Sequence, residues 1–193
     1  MVGPYRTGKS FLLNRFAGTG KMIDLNLKIK KGMQKGFALG SSTNPCTKGM
    51  WIWGKPIRLS ENLHLLLLDT EGLGSYTRDE NIDAKLFTLT ALMSSTMIYN
   101  VMNAIDERAI EGLSFIANLS KYLSSEHLMD SEENVAAYFP DLVWSVRDFA
   151  LELVGKDKTP VTPKEYMESS LAIRQGDTEE IITKNRVTEG LDC

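Results

Sequence analysis

Two cysteines, Cys46 and Cys193, are all that the 193-residue chain carries, and they lie far apart. A disulfide scaffold is therefore excluded as the source of its stability. No charged-then-apolar leader opens the sequence and no C-a-a-X box closes it, so a reducing cytoplasmic setting is expected. The longest apolar run is "LLLL" with its flanks, far below the ~20 residues of a membrane-spanning helix. No membrane anchor is expected. Basic excess is also missing, with 22 Lys and Arg against 25 Asp and Glu and a net charge of −3. Nucleic acid is thereby disfavoured as a partner, because backbone phosphates demand a basic patch or stripe. Histidine is as scarce: His64 falls on an expected strand and His127 in an acidic linker, where they read as packing and surface residues.

What is present fits one globular domain, or most of one: 42% hydrophobic and 24% charged residues without internal repeats. The opening "MVGPYRTGKS" meets the pattern G-x-x-x-x-G-K-S through Gly3, Gly8, Lys9 and Ser10. Glycines let backbone amides turn toward phosphates, a lysine neutralises the terminal oxygens, and the Ser10 hydroxyl suits Mg²⁺. Such a loop normally hangs from a strand, yet only Met1 and Val2 precede it.

Along the chain, "SFLLNRFAG" predicts a helix from Ser10 to Gly18 with Leu12, Leu13 and Phe16 on one buried face. "TGKMIDLNLKIKKGMQKG" reads as a basic insertion with a solvated face, and "GFALGSSTNPCTKG" as a long loop. "MWIWG" and "LHLLLLD" predict strands, the second buried on both sides. "NIDAKLFTLTALM" suits a helix, "STMIYNVM" a strand, "DERAIEGLSFIANLSKYL" a longer helix, and "DLVWSV" a strand after the linker "SSEHLMDSEEN". "TPKEYMESSLAIR" offers a capping box, with Thr162 as cap, Pro163 first in the helix and Glu165 three residues after the cap. The final residues have weak helical character. Strands alternating with helices predict an α/β fold of the P-loop type, a mostly parallel sheet flanked by helices.

Chemistry collects around the loop. "LLLLDTEG" places Asp69 at a strand end to hold the metal and Gly72 three residues on, where its amide senses the γ-phosphate. A hydroxyl must close over Mg²⁺ between these motifs, and Thr47 is preferred to Thr43 because it stands just before a strand. Cys46 beside it reads as a small loop residue rather than a reactive thiol. Guanine offers two adjacent donors that one carboxylate can accept, yet the N-K-x-D box of GTPases is absent. Arg147 and Asp148 follow the late strand instead; alone, such a pair is an ordinary surface ion pair.

The ordered series "GPYRTGKSFLLNRFAG", "GFALGSSTNPCTKGMWIW", "LLLLDTEGLG", "STMIYN" and "VWSVRDFALEL" resembles the GTPase domain of the guanylate-binding proteins. These are large, dynamin-related GTPases, interferon-inducible in vertebrates. The resemblance covers residues 1–174 as a partial GTPase domain and leaves 175–193 as a tail, the start of that domain's remainder. It implies GTP as substrate, Mg²⁺ as cofactor, and a homodimer through the nucleotide face. Arg147 and Asp148 become the guanine box, with Asp148 on the base. Gly3, Tyr5, Arg6, Thr7, Gly8, Lys9, Ser10 and Phe11 surround the nucleotide together with Thr47, Asp69 and Gly72. Ser10, Thr47 and Asp69 form the metal set; Arg6, Lys9, Thr47 and Glu71 form the catalytic set, with Lys48 nearby. Leu73 stands where Ras-like GTPases orient water with glutamine. Arg6 resembles the family's internal arginine finger, which swings onto the phosphates when two domains meet.

The sequence departs from the family at several points. Pro45 lies where vertebrate members have a water-positioning serine, and proline keeps a carbonyl but lacks the hydroxyl. That weakens the carry-over of the family's second step, from GDP to GMP. In the family a leader and a central apolar strand precede the loop, and a further strand, a guanine cap and a helical domain follow "TKNR". The sequence therefore reads as a truncated copy, lacking the first strand, the cap and the last strand. Losing a central strand would strip pairing from both neighbours and exceed a marginal stability of ~5–15 kcal/mol. A truncated, non-catalytic fragment that binds nucleotide or interferes with the dimer is the alternative, and an ATP-using enzyme a more distant one.

Overall fold

The computed structural model describes residues 1–18, 36–40, 46–74, 80–114, 139–155 and 157–173. In the tail it also describes 175–176, 178, 181–182, 184–185 and 188. The basic insertion, Thr43, Pro45, the acidic linker with His127, and Cys193 lie outside these residues.

Helix α1 spans Lys9–Gly18 and starts directly from the glycine loop, its first turn closed by the Leu12 amide donating to the Gly8 carbonyl at 3.0 Å. Strand β1 is Met50–Ile52, β2 Ile57–Arg58, β3 His64–Leu65 and β4 Leu68–Thr70. Helix α2, Glu80–Met93, leads into β5, Thr96–Met102. Helix α3, Glu107–Glu111, is capped by Asp106, whose side chain accepts from the Ala109 amide at 2.8 Å. Strand β6 is Asp141–Arg147, and helix α4 is Pro163–Leu171.

Several of the sequence expectations change. "LHLLLLD" is two short strands, not one: β3 pairs antiparallel with β2, and β4 antiparallel with β1. Only its second half is buried, since Leu63 and Leu66 are exposed whereas Leu67 through Thr70 are covered. His64 is likewise exposed, not packed. A run of leucines has no periodicity to say which part lies under other elements.

The second change concerns the sheet. Among the described residues, the expected parallel arrangement is seen in part: there are three two-stranded sheets, of which β5–β6 is the parallel one. Met1–Tyr5 join two of them. Val2 bridges Tyr99 of β5 and Pro4 bridges Leu73 beyond β4, both in parallel. The Val2 amide donates to the Ile98 carbonyl at 2.9 Å, and the Asn100 amide donates to the Val2 carbonyl at 2.8 Å. On the other side, the Tyr5 amide donates to Leu73 at 3.0 Å, and the Met1 nitrogen donates to Leu68 at 2.8 Å. The expected stripping of both neighbours is thus met in part by the first five residues, which run between β4 and β5.

Alternation along β5 divides the core into two faces. Met97, Tyr99 and Val101 join Phe87 and Ala91 of α2 and Ala109 and Ile110 of α3. Ile98 packs instead with Met1, Leu13, Phe37 and Leu67 on the face of α1. Helices therefore cover opposite sides of the β4–β5 region. Tyr99 is fully buried and donates its hydroxyl to the Ala109 carbonyl at 2.9 Å; burial, then Asp106, pushes the phenol above its ordinary pKa. Burying such a side chain contributes about 1.5–3 kcal/mol once its polar atom is satisfied. Leu13 is buried as expected of α1, whereas Phe16 stays 39% exposed.

Helix α4 closes the ends of β5 and β6. The Tyr166 hydroxyl accepts from the Ile105 amide at 3.0 Å, and its ring meets Phe149 at 5.4 Å. Tail residues Lys184 and Thr188 donate to the carbonyls of Ala172 and Leu171 at 3.2 and 2.8 Å, occupying acceptors that the helix end leaves open. The predicted capping box is present: the Glu165 amide donates to Thr162 Oγ1 at 3.2 Å, and the Thr162 amide to Glu165 Oε2 at 2.6 Å. Thr162→Ala is expected to cost about 1 kcal/mol and lower the melting midpoint by about 2–4 °C. Calorimetry checks this, with Thr162→Ser close to the parent.

Candidate nucleotide site

The loop from Gly3 to Gly8 turns by means of positive φ at Gly3 (143°), Arg6 (63°) and Gly8 (78°). For Arg6 this is a left-handed conformation that non-glycine residues adopt uncommonly, and its side chain is exposed at the mouth of the loop. Close backbone approach explains two glycines. A Cβ at Gly3 would lie 2.1 Å from the Asn100 carbonyl oxygen, and one at Gly72 would lie 2.1 Å from the Tyr5 Cα.

Above the loop opens a cavity of about 350 Å³, lined by Tyr5, Arg6, Gly8, Lys9, Ser10 and Phe11, with Thr47 and Gly72 opposite. Lys9 is 6% exposed, and its Nζ donates to the carbonyls of Gly3 and Pro4 at 3.1 and 2.9 Å. Burial pulls the ammonium down to about 8, with the charges of Asp69 and Glu71 opposing. A desolvated cation beside a helix N-terminus is a receptor for anions.

Ser10, Thr47 and Asp69, distant in sequence, meet here. The Ser10 hydroxyl donates to Asp69 Oδ2 at 2.5 Å and lies 3.0 Å from Thr47 Oγ1, which is itself 3.4 Å from the same carboxylate oxygen. Asp69 has no exposed surface, and its Oδ1 has no hydrogen-bond partner among the described residues. Burial pushes this carboxyl above the ordinary carboxylate range, against the Ser10 hydrogen bond and the Lys9 charge. An unpartnered buried carboxylate oxygen beside two hydroxyls is a hard oxygen set, of the kind that suits Mg²⁺. The described residues hold no cluster of three or more His, Cys, Asp or Glu; the oxygen set here is one carboxylate and two hydroxyls.

Other expected residues are placed differently. The Glu71 side chain accepts from the Gly49 amide at 2.8 Å, tying the turn after Thr47 to the end of β4. Gly3, Thr7, Asp69 and Glu71 stand behind the cavity wall rather than on it, and the Thr7 hydroxyl donates to Pro4 at 2.9 Å. Arg147 reaches the loop itself, its Nη1 donating to the Thr7 carbonyl at 2.9 Å. Asp148 is exposed, has φ 53°, and is not among the lining residues. Lys48 is exposed, and its carbonyl accepts from the Trp51 indole at 2.8 Å.

Sequence reasoning missed several participants. Ala38, Leu39, Gly40, Cys46 and Thr70 complete the lining. Asn14 of α1 holds the first of these segments, exchanging hydrogen bonds with the Phe37 backbone at 2.7 and 2.9 Å. Asn100 was the legible omission: an amide side chain within the apolar strand "STMIYNVM" needs a buried partner.

A glycine loop opening a helix, backed by a buried strand-end aspartate and two hydroxyls, defines the P-loop class of α/β proteins. Within that class the chain belongs to the family described as guanylate-binding protein, N-terminal domain, whose model matches residues 1–191. It is 41% identical over 182 residues to guanylate-binding protein 3 of Homo sapiens, covering 91% of this chain and 28% of that protein. Guanylate-binding protein 3 of Mus musculus is 39% identical over 98% of the chain and 29% of its own length. Guanylate-binding protein 1 of Homo sapiens is 37% identical over 96% of the chain, which spans 30% of it. The chain thus spans about three-tenths of the curated relatives it matches. No helix among the described residues is long and apolar enough to cross a membrane.

The Gly72 contact yields a direct test of this geometry. Gly72→Ala must push the Tyr5 backbone aside and is expected to cost about 1–3 kcal/mol in urea unfolding. Gly74→Ala serves as the control for strain alone, because a Cβ there meets nothing within 4 Å although its φ is 71°.

Proposed function

We propose that this chain is the partial GTPase domain of a guanylate-binding-type protein, that it binds GTP with Mg²⁺ in the cavity above Gly3–Ser10, and that it hydrolyses the γ-phosphate. One observation carries the reading: the Ser10 and Thr47 hydroxyls converge on the Asp69 carboxylate, whose second oxygen is buried and has no partner among the described residues. In this reading residues 1–174 form the GTPase part, and 175–193 belong to its continuation.

Lys9 and the loop amides hold the phosphate chain. Ser10 and Thr47 would ligate Mg²⁺, with Asp69 beside them, and the ion would neutralise charge on the β- and γ-phosphates. The Gly72 amide donates toward the γ-phosphate. Water orientation cannot come from Leu73, which is buried in the core and pairs through its backbone with Gly3 and Tyr5. Arg6 supplies transition-state charge instead: it lines the cavity, is exposed, and swings inward when a second copy covers the nucleotide face. Glu71 contributes by holding the Gly49 turn, and hence Thr47, in place. Asp148 reads guanine through its paired donors, approached from the exposed rim. Tyr5, Thr7 and Phe11 shape the walls, and Phe11 is braced by the Arg15 guanidinium 5.0 Å from its ring.

A second reading, nucleotide binding without turnover, is favoured by the buried Leu73, whose side chain cannot hydrogen-bond a water. Single-turnover hydrolysis separates the two. Wild type with Mg²⁺ is expected to turn over GTP, Arg6→Ala about 10³-fold more slowly, and chelation of Mg²⁺ to abolish turnover. Equal rates for wild type and Arg6→Ala would remove Arg6 from the mechanism. Efficient displacement of labelled GTP by ATP would reassign the base.

A further inference from the structure

We infer that Asn100, which belongs to none of the nucleotide motifs, is a positioning residue for the phosphate loop and acts together with Arg147. The pair orients the Thr7–Gly8 peptide so that the Gly8 N–H faces the cavity. This rests on the reading of that cavity as a nucleotide site, and it assigns Arg147 to the phosphate chain instead of the base.

Asn100 has no exposed surface, and its Nδ2 donates to the Thr7 carbonyl at 2.9 Å. Arg147 Nη1 donates to the same oxygen, also at 2.9 Å. Both donors are held from behind. The Ser145 hydroxyl donates to Asn100 Oδ1 at 3.4 Å, the Asn100 amide donates to Val2 at 2.8 Å, and Arg147 ends the strand paired with β5. A carbonyl with two fixed donors is held in orientation, and in a trans peptide the following N–H points the opposite way. The Thr7 oxygen faces β5 and β6, so the Gly8 N–H faces away from them, on the side where Gly8 lines the cavity.

Gly8 makes the arrangement possible. Its φ is 78°, and a Cβ there would lie 2.1 Å from Arg147 Nη1. Only glycine lets the guanidinium close on this peptide. Without the two donors the peptide plane can rotate, and a rotated peptide would present its carbonyl to an anion. At the other end of the loop the main chain of the same residue passes close to Gly3, where an added Cβ would lie 2.1 Å from its oxygen.

The test is equilibrium binding of fluorescent GTP, GDP and GMP, with ATP as competitor and melting midpoints measured in parallel. Asn100→Asp keeps the side chain's shape but turns an acceptor toward the Thr7 carbonyl. It is expected to weaken GTP and GDP by about tenfold or more, the effect of losing a buried hydrogen bond. GMP should weaken less, and the preference for GTP over ATP should persist. Arg147→Met should behave alike, with Arg147→Lys recovering part of the loss. Because Arg147 is only partly buried, its variants keep the experiment readable should Asn100→Asp unfold. Unchanged GTP affinity, a proportional loss of GTP and GMP, or collapse of the GTP-over-ATP preference in Arg147→Met would each overturn the inference. Wild-type protein that binds none of these nucleotides would overturn the nucleotide reading itself, a distinct result.

Discussion

The structure depends on how closely one stretch of backbone, Met1 to Gly8, passes the strands beside it. Gly3 touches the Asn100 carbonyl, Gly8 the Arg147 guanidinium, and Gly72 the backbone of Tyr5. At each contact a Cβ would fall near 2.1 Å from its neighbour; at Gly3 and Gly72 that neighbour is backbone, which cannot yield, while at Gly8 it is the guanidinium, which would be driven off the loop. The loop therefore rests on neighbouring main chain at Gly3 and Tyr5, and on the Asn100 and Arg147 side chains at the Thr7–Gly8 peptide. That is the condition for aiming amides at a ligand, because an amide can be held only by what holds its peptide plane.

Packing and chemistry are joined through the same stretch. Val2 belongs to the cluster of Phe87 and Tyr99, while Met1 belongs to that of Leu13 and Leu67, so the strand-like residues before the loop anchor both faces of the core. Lys9 and Asp69 are buried, and desolvation moves the pKa of Lys9 down and that of Asp69 up. Buried charge of this kind is costly to the isolated fold. In the proposed reading it would be offset by phosphate oxygens at Lys9 and a cation at Asp69, and ligand binding would then stabilise the fold.

Much of the site was legible in the sequence because its parts are local. A loop of fixed spacing followed by Ser10, a carboxylate ending an apolar run, and Gly72 three residues later are patterns that neighbouring residues enforce. Caps are equally local, and Thr162 with Glu165 forms the box its spacing implied. Thr47 was preferred to Thr43 on its place before β1, and it does meet Ser10 and Asp69. The division of "LHLLLLD" was illegible, because leucine after leucine carries no phase. Asn100 was visible only as a polar residue out of place, its partner lying 93 residues away.

By itself, then, the amino-acid order determined the alternation of strands and helices, the phosphate loop and the residue types offered to a metal, all set by spacing along one segment. Tertiary structure alone decided that Glu71 holds a turn, that Asp148 is exposed and outside the cavity lining, and that Arg147 and Asn100 share one carbonyl. It also decided that Met1–Tyr5 take a place between β4 and β5. The physical reason is that these are contacts between strands distant in sequence. Hydrogen bonds across such distances depend on register, which no local pattern encodes.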